Sequence, residues 1–370
     1  MSKLFSPITL GNLALANRIM ISPMCQYSAL EGRATDWHMA HLGSMAISGA
    51  GLLCVEATGI EAEGRITAGC LGLYSDDNEA ALARVLKEVR QISPVPVAIQ
   101  LSHAGRKGSS AVPWEGGMLI APTHPGGWLP IAPSAIPQRP EEAPPRAMDR
   151  ALMHRVVEAF RDSTRRSKRL GFDAIELHMA HGYLLNQFLS PLSNQRSDEY
   201  GGPLENRMRF PLEVFAAVKK EAGDIPIGVR LSATDWVEGG WDIEQTLAVA
   251  VALEKMGCAF LDISSGGISH LQKIAVGPAY QAPFAQQIKQ HVSIPVISVG
   301  LITEPAQAEE IIASGKADMV ALARGMLNNP RWPWRAAIEL GGEVKAPAQY
   351  WRCLPSGSPR IFGDAKVGQR

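Results

Sequence analysis

Two histidines and a tyrosine stand close together in the string HMAHGY, residues 178–183. Imidazoles spaced i, i+3 can share one face of a helical turn, an arrangement that suits metal ligands. They can instead donate hydrogen bonds to one carbonyl oxygen and stabilise the negative charge that develops on it. The phenol of Tyr183, with an ordinary pKa of about 10, is a poor base but can protonate a carbanion. His178 and His181 therefore indicate an oxygen-binding pair, a metal site that lacks an evident third ligand, or two purely structural histidines.

Three other reactive residue types lie in or beside apolar runs. Arg230 lies in the run IPIGVRL, residues 225–231, and a buried cation needs an anionic partner, which a ligand could supply. Gln100 lies near the end of another apolar run and offers both a hydrogen-bond donor and an acceptor. Cys25 follows a third run, and a lone buried thiol usually packs as a small apolar side chain.

These residues must be positioned by the short apolar runs that recur along the chain. The runs are continuous rather than alternating, which is typical of buried parallel strands. They cover residues 18–24, 51–58, 95–101, 174–178, 225–231, 260–264, 294–299 and 319–323. Stretches with apolar residues at helical spacing separate them, at residues 80–92, 151–170, 212–221, 243–255 and 306–313. The alternation predicts an α/β fold, a (β/α)8 TIM barrel, with a doubly wound open sheet as the alternative.

Capping residues support the predicted helices. Small polar or acidic residues precede four of them, and glycines that can close a helix follow three. The predicted N-caps are Asn78, Asp149, Asp242 and Thr303, and the closing glycines are Gly171, Gly257 and Gly315. We predict one barrel domain over residues 1–352, with a Pro/Gly-rich excursion over the barrel mouth at residues 105–146 and a mobile C-terminal tail at residues 353–370.

A barrel places its active site at the carboxyl ends of the strands, and many barrels hold a phosphate in the loops after the seventh and eighth strands. Here those loops contain Gly300 and Ala323-Arg324-Gly325. Glycine lets backbone N–H groups approach an anion, and arginine offers a planar fork for phosphate. Residue type alone also allows Arg324 to cap a helix or pair with an acidic side chain.

Composition excludes several functional classes. The 370 residues carry 36 Lys+Arg and 36 Asp+Glu, with 46% hydrophobic residues, which is typical of a globular protein and not of a nucleic-acid-binding or disordered chain. No apolar run approaches the ~18 residues of a membrane span, and residues 1–18 lack the apolar stretch of a signal peptide. The 5 cysteines are scattered and form no C-x-x-C, so we expect no disulfide framework or iron–sulfur cluster, and a cytoplasmic location.

The same residues resemble the Old Yellow Enzyme family of flavin ene-reductases, nearest to its xenobiotic reductase A and thermophilic-like members. There is no G-x-G-x-x-G after a strand, so a nicotinamide cofactor would have no Rossmann module of its own. The resemblance extends from about Phe5 to Arg352. The strings that carry it are residues 17–18, SPMCQY at 22–27, EAT at 56–58, GRIT at 64–67, HAGRK at 103–107, HMAHGY at 178–183 and LSPLSNQRSDEYGGPLENRMR at 189–209.

The resemblance implies one non-covalently bound FMN at the barrel mouth. The residues it assigns to the flavin are Ser22, Pro23, Met24, Cys25, Ala57, Gln100 and Arg230, with Gly300, Ala323 and Arg324 on the phosphate. Gln100 and Arg230 would face the pyrimidine end. Cys25 would also tune the reduction potential of the flavin and contact the substrate. His178 and His181 would bind the substrate oxygen, Tyr183 would donate the proton, and Tyr27 would contact the substrate.

The activity implied is reduction of activated alkenes, and of nitro compounds, by NADPH or NADH in two half-reactions that share one pocket. The resemblance also implies a homodimer or homotetramer in which Arg352 completes the neighbouring subunit's site. Trp114 and Trp128 would be lid residues, and Val299, where xenobiotic reductase A has a tryptophan, would leave a roomier pocket. Two alternative hypotheses remain. One is a non-redox lyase or metal-dependent hydrolase that uses the His178/His181 pair, and the other is a flavin-binding protein without catalysis.

Overall fold

Eight parallel strands close into a barrel in the computed structural model, which describes residues 2–363. The barrel strands are β1 (Ile19–Ile21), β2 (Leu52–Gly59), β3 (Val97–Ser102), β4 (Ala174–Met179), β5 (Ile227–Ser232), β6 (Phe260–Ser264), β7 (Val296–Val299) and β8 (Met319–Leu322). Each strand pairs with the next along the chain, and Leu322 of β8 pairs with Ile21 of β1 to close the ring. The predicted (β/α)8 barrel is confirmed, and the open sheet is excluded.

Helices follow the strands and cover the outside of the barrel. They are α1 (Asp36–Ala46), α2 (Asp76–Ile92), α3 (Arg150–Arg169), α4 (Leu184–Leu189), α5 (Leu204–Ala222), α6 (Ile243–Lys255), α7 (Ala282–Lys289), α8 (Pro305–Ala313), α9 (Arg324–Asn328) and α10 (Trp332–Leu340). The predicted caps at Asp149 and Asp242 are confirmed, since their carboxylates accept from backbone N–H groups at 2.8 and 3.0 Å.

Two predicted N-caps are wrong because their helices begin elsewhere. The N-cap of α2 is Ser75, whose hydroxyl oxygen accepts from the backbone N–H of Asn78 at 3.2 Å. Asn78 therefore lies inside the first turn rather than before it. The N-cap of α8 is Glu304, one residue after Thr303, and its own N–H donates to the side chain of Gln307 at 3.0 Å.

The amino end of the barrel is closed by apolar side chains. Leu10 and Leu15, from a short hairpin of Ile8–Leu10 and Leu13–Leu15, pack beneath inward-facing residues of the strands. The Phe260 ring occupies the space beside Gly228, where a Cβ atom would lie 2.2 Å from it. Burial of such a ring contributes about 1.5–3 kcal/mol. Because this end is filled, the opposite end, where the strands reach their carboxyl termini, holds the polar groups.

The excursion at residues 105–146 is tied to the barrel mouth. It contains two short 3-10 turns, Gly105–Lys107 and Pro113–Glu115, and a two-residue strand, Ile131–Ala132, paired with Arg146–Ala147. The buried Arg106 guanidinium donates to the carbonyls of Ile136 (3.2 Å) and Ile268 (2.6 Å). Arg106 therefore fastens the excursion to the loop after β6.

The end of the described chain packs against α10. Ile361 is buried beside Trp334 and Val344, and the backbone N–H of Val344 donates to the Ile361 carbonyl at 2.8 Å. The mobility predicted for residues 353–370 stays a prediction, and residues 364–370 lie outside the described part. None of the helices in residues 2–363 has the length and hydropathy that a membrane crossing requires.

Candidate active site

The barrel interior brings residues from opposite strands into contact just below the mouth. Ser22 follows β1, and Arg230 lies on β5, half-way around the ring. The Arg230 Nη1 atom donates to the Ser22 hydroxyl at 3.0 Å, so the guanidinium spans the barrel. Ala57 and Gln100 are buried in the carboxyl halves of β2 and β3, respectively. These four residues, which are far apart in the sequence, therefore all lie in the part of the barrel just below its mouth.

The string HMAHGY forms a tight turn after β4. His181 has a φ of 60° and Gly182 a φ of 73°. A Cβ atom at residue 182 would lie 2.2 Å from the Gly267 carbonyl oxygen, so only glycine allows this close approach to the loop after β6. The ring centroids of His178 and His181 lie 5.0 Å apart, and those of His178 and Tyr183 lie 4.8 Å apart. The three residues predicted to do chemistry therefore form one cluster.

Hydrogen bonds from distant elements hold the unusual backbone of this turn. The hydroxyl of Ser232, on β5, accepts from the His181 N–H at 2.9 Å. Lys107, from the excursion, donates to the carbonyls of His181 (2.8 Å) and Gly267 (3.1 Å). Its ammonium also lies 5.0 Å from the centre of the Tyr183 ring. Lys107 therefore braces the turn from the excursion side.

Burial determines the protonation of this cluster. Burial lowers the pKa of both His178 and His181, and the charges of Arg230 and Lys107 lower it further. Each imidazole is therefore neutral at neutral pH and carries one N–H. Burial raises the pKa of Tyr183, so its phenol keeps its proton. The site offers hydrogen-bond donors and a proton, and within residues 2–363 no group of three or more His, Cys, Asp or Glu is arranged to hold a metal ion.

A layer of buried charges lies under the mouth. Arg230 Nε lies 3.3 Å from the Asp262 carboxylate on the neighbouring strand β6. The side chain of Gln100 donates to Glu176 on β4 at 2.7 Å. Both carboxylates are fully buried, and Glu176 Oε2 and Asp262 Oδ1 have no hydrogen-bond partner within the described chain. From the sequence we expected a ligand to supply the anionic partner of Arg230. The structure shows that Asp262 is such a partner.

This layer predicts a measurable pH dependence of stability. Burial and the charge of Asp262 raise the pKa of Glu176 from 4.5 to about 8. The folded state therefore keeps a proton that the unfolded chain releases, and folding stability falls between these two pH values and levels off above the higher one. We expect the free energy of unfolding to fall by a few kcal/mol over this pH range, and we expect Glu176→Gln to remove this fall. Urea unfolding of the wild type and the variant from about pH 5 to 9 measures the difference. The same dependence of stability on pH in both proteins would contradict the assigned protonation.

The predicted phosphate residues lie at neighbouring strand ends. Gly300 follows β7 with a φ of 118°, and a Cβ atom there would lie 2.6 Å from the side-chain amide of Gln281. Ala323 precedes α9 directly after β8, which pairs with β7. Arg324 is exposed and forms no ion pair with any residue in the described range 2–363. A glycine turn and an unpaired guanidinium side by side fit an anion.

The segment after β1 forms another side of the mouth. Pro23, Met24 and Cys25 are half-buried, and a hydrogen bond with the Cys70 thiol, together with burial, raises the pKa of Cys25, which stays a thiol. Tyr27 has a φ of 53°, and its ring meets that of Trp114 edge-to-face at 5.7 Å. The excursion therefore contributes an aromatic side chain next to a residue predicted to contact substrate.

Arg352 is not brought to the mouth of its own chain. Its neighbour Trp351 lines a cavity with Asn17, Gly51 and Pro96, which precede β1, β2 and β3. These positions lie at the amino end of the barrel. A role for Arg352 in a neighbouring subunit's site stays a prediction.

Comparison with known proteins identifies the family. Residues 3–342 match the NADH:flavin oxidoreductase / NADH oxidase family. The chain belongs to this family, which is of the Old Yellow Enzyme type. It is 44% identical to an NADPH dehydrogenase of Geobacillus thermodenitrificans over 351 residues, which cover 94% of this chain and 98% of that protein. It is 41% identical to an NADPH dehydrogenase of Bacillus subtilis over 352 residues, 95% of this chain and 98% of that one.

Two solved structures agree with the barrel. Morphinone reductase superimposes with a TM-score of 0.76 at 29% identity, covering 99% of this chain and 96% of its own. A 2-naphthoyl-CoA reductase superimposes with a TM-score of 0.80 at 26% identity, covering 90% of this chain and 52% of the larger protein. Membership makes the chain an FMN-dependent NAD(P)H oxidoreductase.

The residues at the mouth fit FMN. The Arg230 Nη2 atom donates to no residue of the described chain, although the residue is only 6% exposed, so a buried cationic donor is available to a flavin edge. At the other end of the mouth, Gly300 and Arg324 provide a close backbone approach and an unpaired charge for the phosphate.

Proposed function

We propose that this oxidoreductase reduces carbon–carbon double bonds conjugated to a carbonyl, and also nitro compounds, at the expense of NAD(P)H. The observation that carries the proposal is the cluster of two neutral imidazoles and a protonated phenol over a buried guanidinium. If His178 and His181 bound a metal, the Tyr183 phenol would have no role in the reaction. The reduction of an activated alkene, in contrast, needs both an oxygen-binding pair and a proton donor.

Bound FMN supplies the hydride chemistry, and the chain's own residues do the rest. His178 and His181 donate hydrogen bonds to the substrate oxygen and draw electron density from the double bond. Tyr183 delivers the proton from its phenol oxygen to the carbon next to the carbonyl. Each turnover then consumes one NAD(P)H and one proton and saturates one double bond.

Different parts of the mouth would hold the cofactor. Ser22, Pro23, Met24, Cys25, Ala57, Gln100 and Arg230 would surround its ring system, and Gly300, Ala323 and Arg324 its phosphate. Arg230 would stabilise the negative charge that reduction leaves on the ring system. The Cys25 thiol would influence the ease of that reduction, and Tyr27 beside Trp114 would contact the substrate.

One mouth serves nicotinamide and alkene in turn, which implies ping-pong kinetics. The test is an anaerobic titration of the purified yellow protein. NADPH should bleach the flavin colour, and cyclohexenone should restore it with one equivalent of product. A folded, colourless protein that cannot be reconstituted with FMN, or a reduced protein that cyclohexenone leaves bleached, would reject the proposal.

A further inference from the structure

The two histidines can bind one oxygen only if each points an N–H at it, because both are neutral. For His178 the tautomer is set by the backbone. Its Nδ1 atom lies 3.2 Å from the N–H of Ala180 and accepts a hydrogen bond from it. A backbone amide can only donate, so the proton of His178 resides on Nε2.

His181 is held differently, by a group that can donate or accept. Its Nδ1 atom lies 3.3 Å from His178 Nε2, and its Nε2 atom lies 2.7 Å from the Ser264 hydroxyl oxygen. Without an oxygen between the rings, His178 donates to His181 Nδ1, so the proton of His181 lies on Nε2 and is donated to Ser264. To donate from Nδ1 to a substrate oxygen, His181 must adopt the other tautomer, with Nε2 as an acceptor.

We propose that Ser264 is a positioning residue that selects the tautomer of His181. A hydroxyl rotates freely between donor and acceptor roles. When a substrate oxygen enters, Ser264 turns to donate to Nε2, and His181 carries its proton on Nδ1, toward that oxygen. The proton count is unchanged, because His181 releases one proton from Nε2 and takes one up at Nδ1 through water.

The surroundings of Ser264 support this role. It lies at the end of β6, is 5% exposed, and its other neighbour is the Gln281 side-chain oxygen at 3.5 Å, a long contact that leaves the hydroxyl free to turn. The adjacent Ser265 is bound more tightly, donating to the same Gln281 oxygen at 2.5 Å and accepting from Trp236 at 2.9 Å. The inference rests on the proposed function, since it assumes that the pair binds a substrate oxygen.

The test uses oxidised holoenzyme labelled with ¹⁵N-histidine, which binds cyclohexenone without turnover. Long-range ¹H–¹⁵N spectra should show His181 protonated on Nε2 in the free enzyme and on Nδ1 with cyclohexenone. Ser264→Ala should keep the Nε2 tautomer and weaken cyclohexenone binding, followed by the flavin spectrum, about five- to tenfold. Ser264→Thr should restore the shift, and the control Ser265→Ala should retain it.

The outcomes separate this inference from the proposed function. If wild-type enzyme binds cyclohexenone while His181 keeps the same tautomer, Ser264 does not switch the tautomer of His181 and the inference is wrong. This outcome can be observed with the wild-type enzyme alone. A tautomer shift in Ser264→Ala equal to that of wild type would overturn the inference as well. If cyclohexenone fails to reoxidise the wild-type flavin that NADPH has bleached, the proposed function fails and this inference with it.

Discussion

Replacing Tyr183 by Phe should slow alkene reduction about 10²- to 10⁴-fold and leave flavin reduction by NADPH unchanged. The substitution keeps the ring that packs against His178 at 4.8 Å and under the Lys107 ammonium at 5.0 Å. It removes only the phenol oxygen, which burial keeps protonated by raising its pKa. Anaerobic stopped-flow measurement of each half-reaction separates the two effects.

A matched control is Tyr200→Phe, which removes another phenol, one that donates to Glu213 at 3.0 Å on α5. It should leave both half-reactions intact. If Tyr183→Phe also leaves alkene reduction unchanged, the proton comes from elsewhere. If the wild-type protein and both variants bind FMN but reduce no alkene, the alternative of a flavin-binding protein without catalysis is favoured.

Replacing Arg230 by Met should destabilise the protein by about 3–5 kcal/mol and weaken FMN binding at least tenfold. Met fills a similar volume but leaves the Asp262 carboxylate, which lies 3.3 Å from Arg230 Nε, buried without a cation. FMN would lose the donor at its ring system. Urea unfolding at neutral pH measures the first effect and FMN retention during ultrafiltration the second.

The double variant Arg230→Met/Asp262→Asn separates the two roles of the arginine. Removing the orphaned carboxylate charge should recover much of the stability, because an unpaired buried charge is the main cost. FMN binding should stay weak, because the cationic donor is still missing. Recovery of FMN binding in the double variant, or no recovery of stability, would contradict these assignments.

The strands could be predicted from the sequence because their signal is local. Continuous apolar runs appear wherever a strand is covered on both sides, and every such run became a barrel strand. Helices α2, α3, α5, α6 and α8 could be predicted from their amphipathic spacing. Helix α4, with the sequence LLNQFL, was missed because all its residues are buried and no polar face marks it. Helices α1, α7, α9 and α10 were also missed, and α1 has little separation of polar and apolar faces.

The boundaries of helices depended on details that the pattern does not contain. The prediction placed an N-cap at Asn78, yet α2 begins at Asp76 because Ser75 caps it. Thr303 is likewise a plausible cap by residue type, but Glu304 forms the reciprocal pair with Gln307. Several residue types can cap a helix, and only the backbone geometry selects one.

The charges of the site could not be assigned from the sequence. Arg230 stood out in an apolar run, but its partner lies on the next strand and faces it only through the register that pairs Arg230 with Asp262. Glu176 and Asp262 carried the same signal, an acidic residue inside a short apolar run, and were overlooked because the register between neighbouring strands was unknown.

By itself, the sequence determined which residue types could do chemistry, the order of the strands along the chain, and which of those residues lie at the carboxyl end of a strand. These properties are local, since they follow from runs of a few residues. The tertiary structure decided which of those groups carry protons and which atoms face the site. Lys107 reaches His181, and Ser264 reaches its ring, across long stretches of chain. Burial and hydrogen bonding between residues remote in sequence fix protonation, and neither exists before the barrel closes.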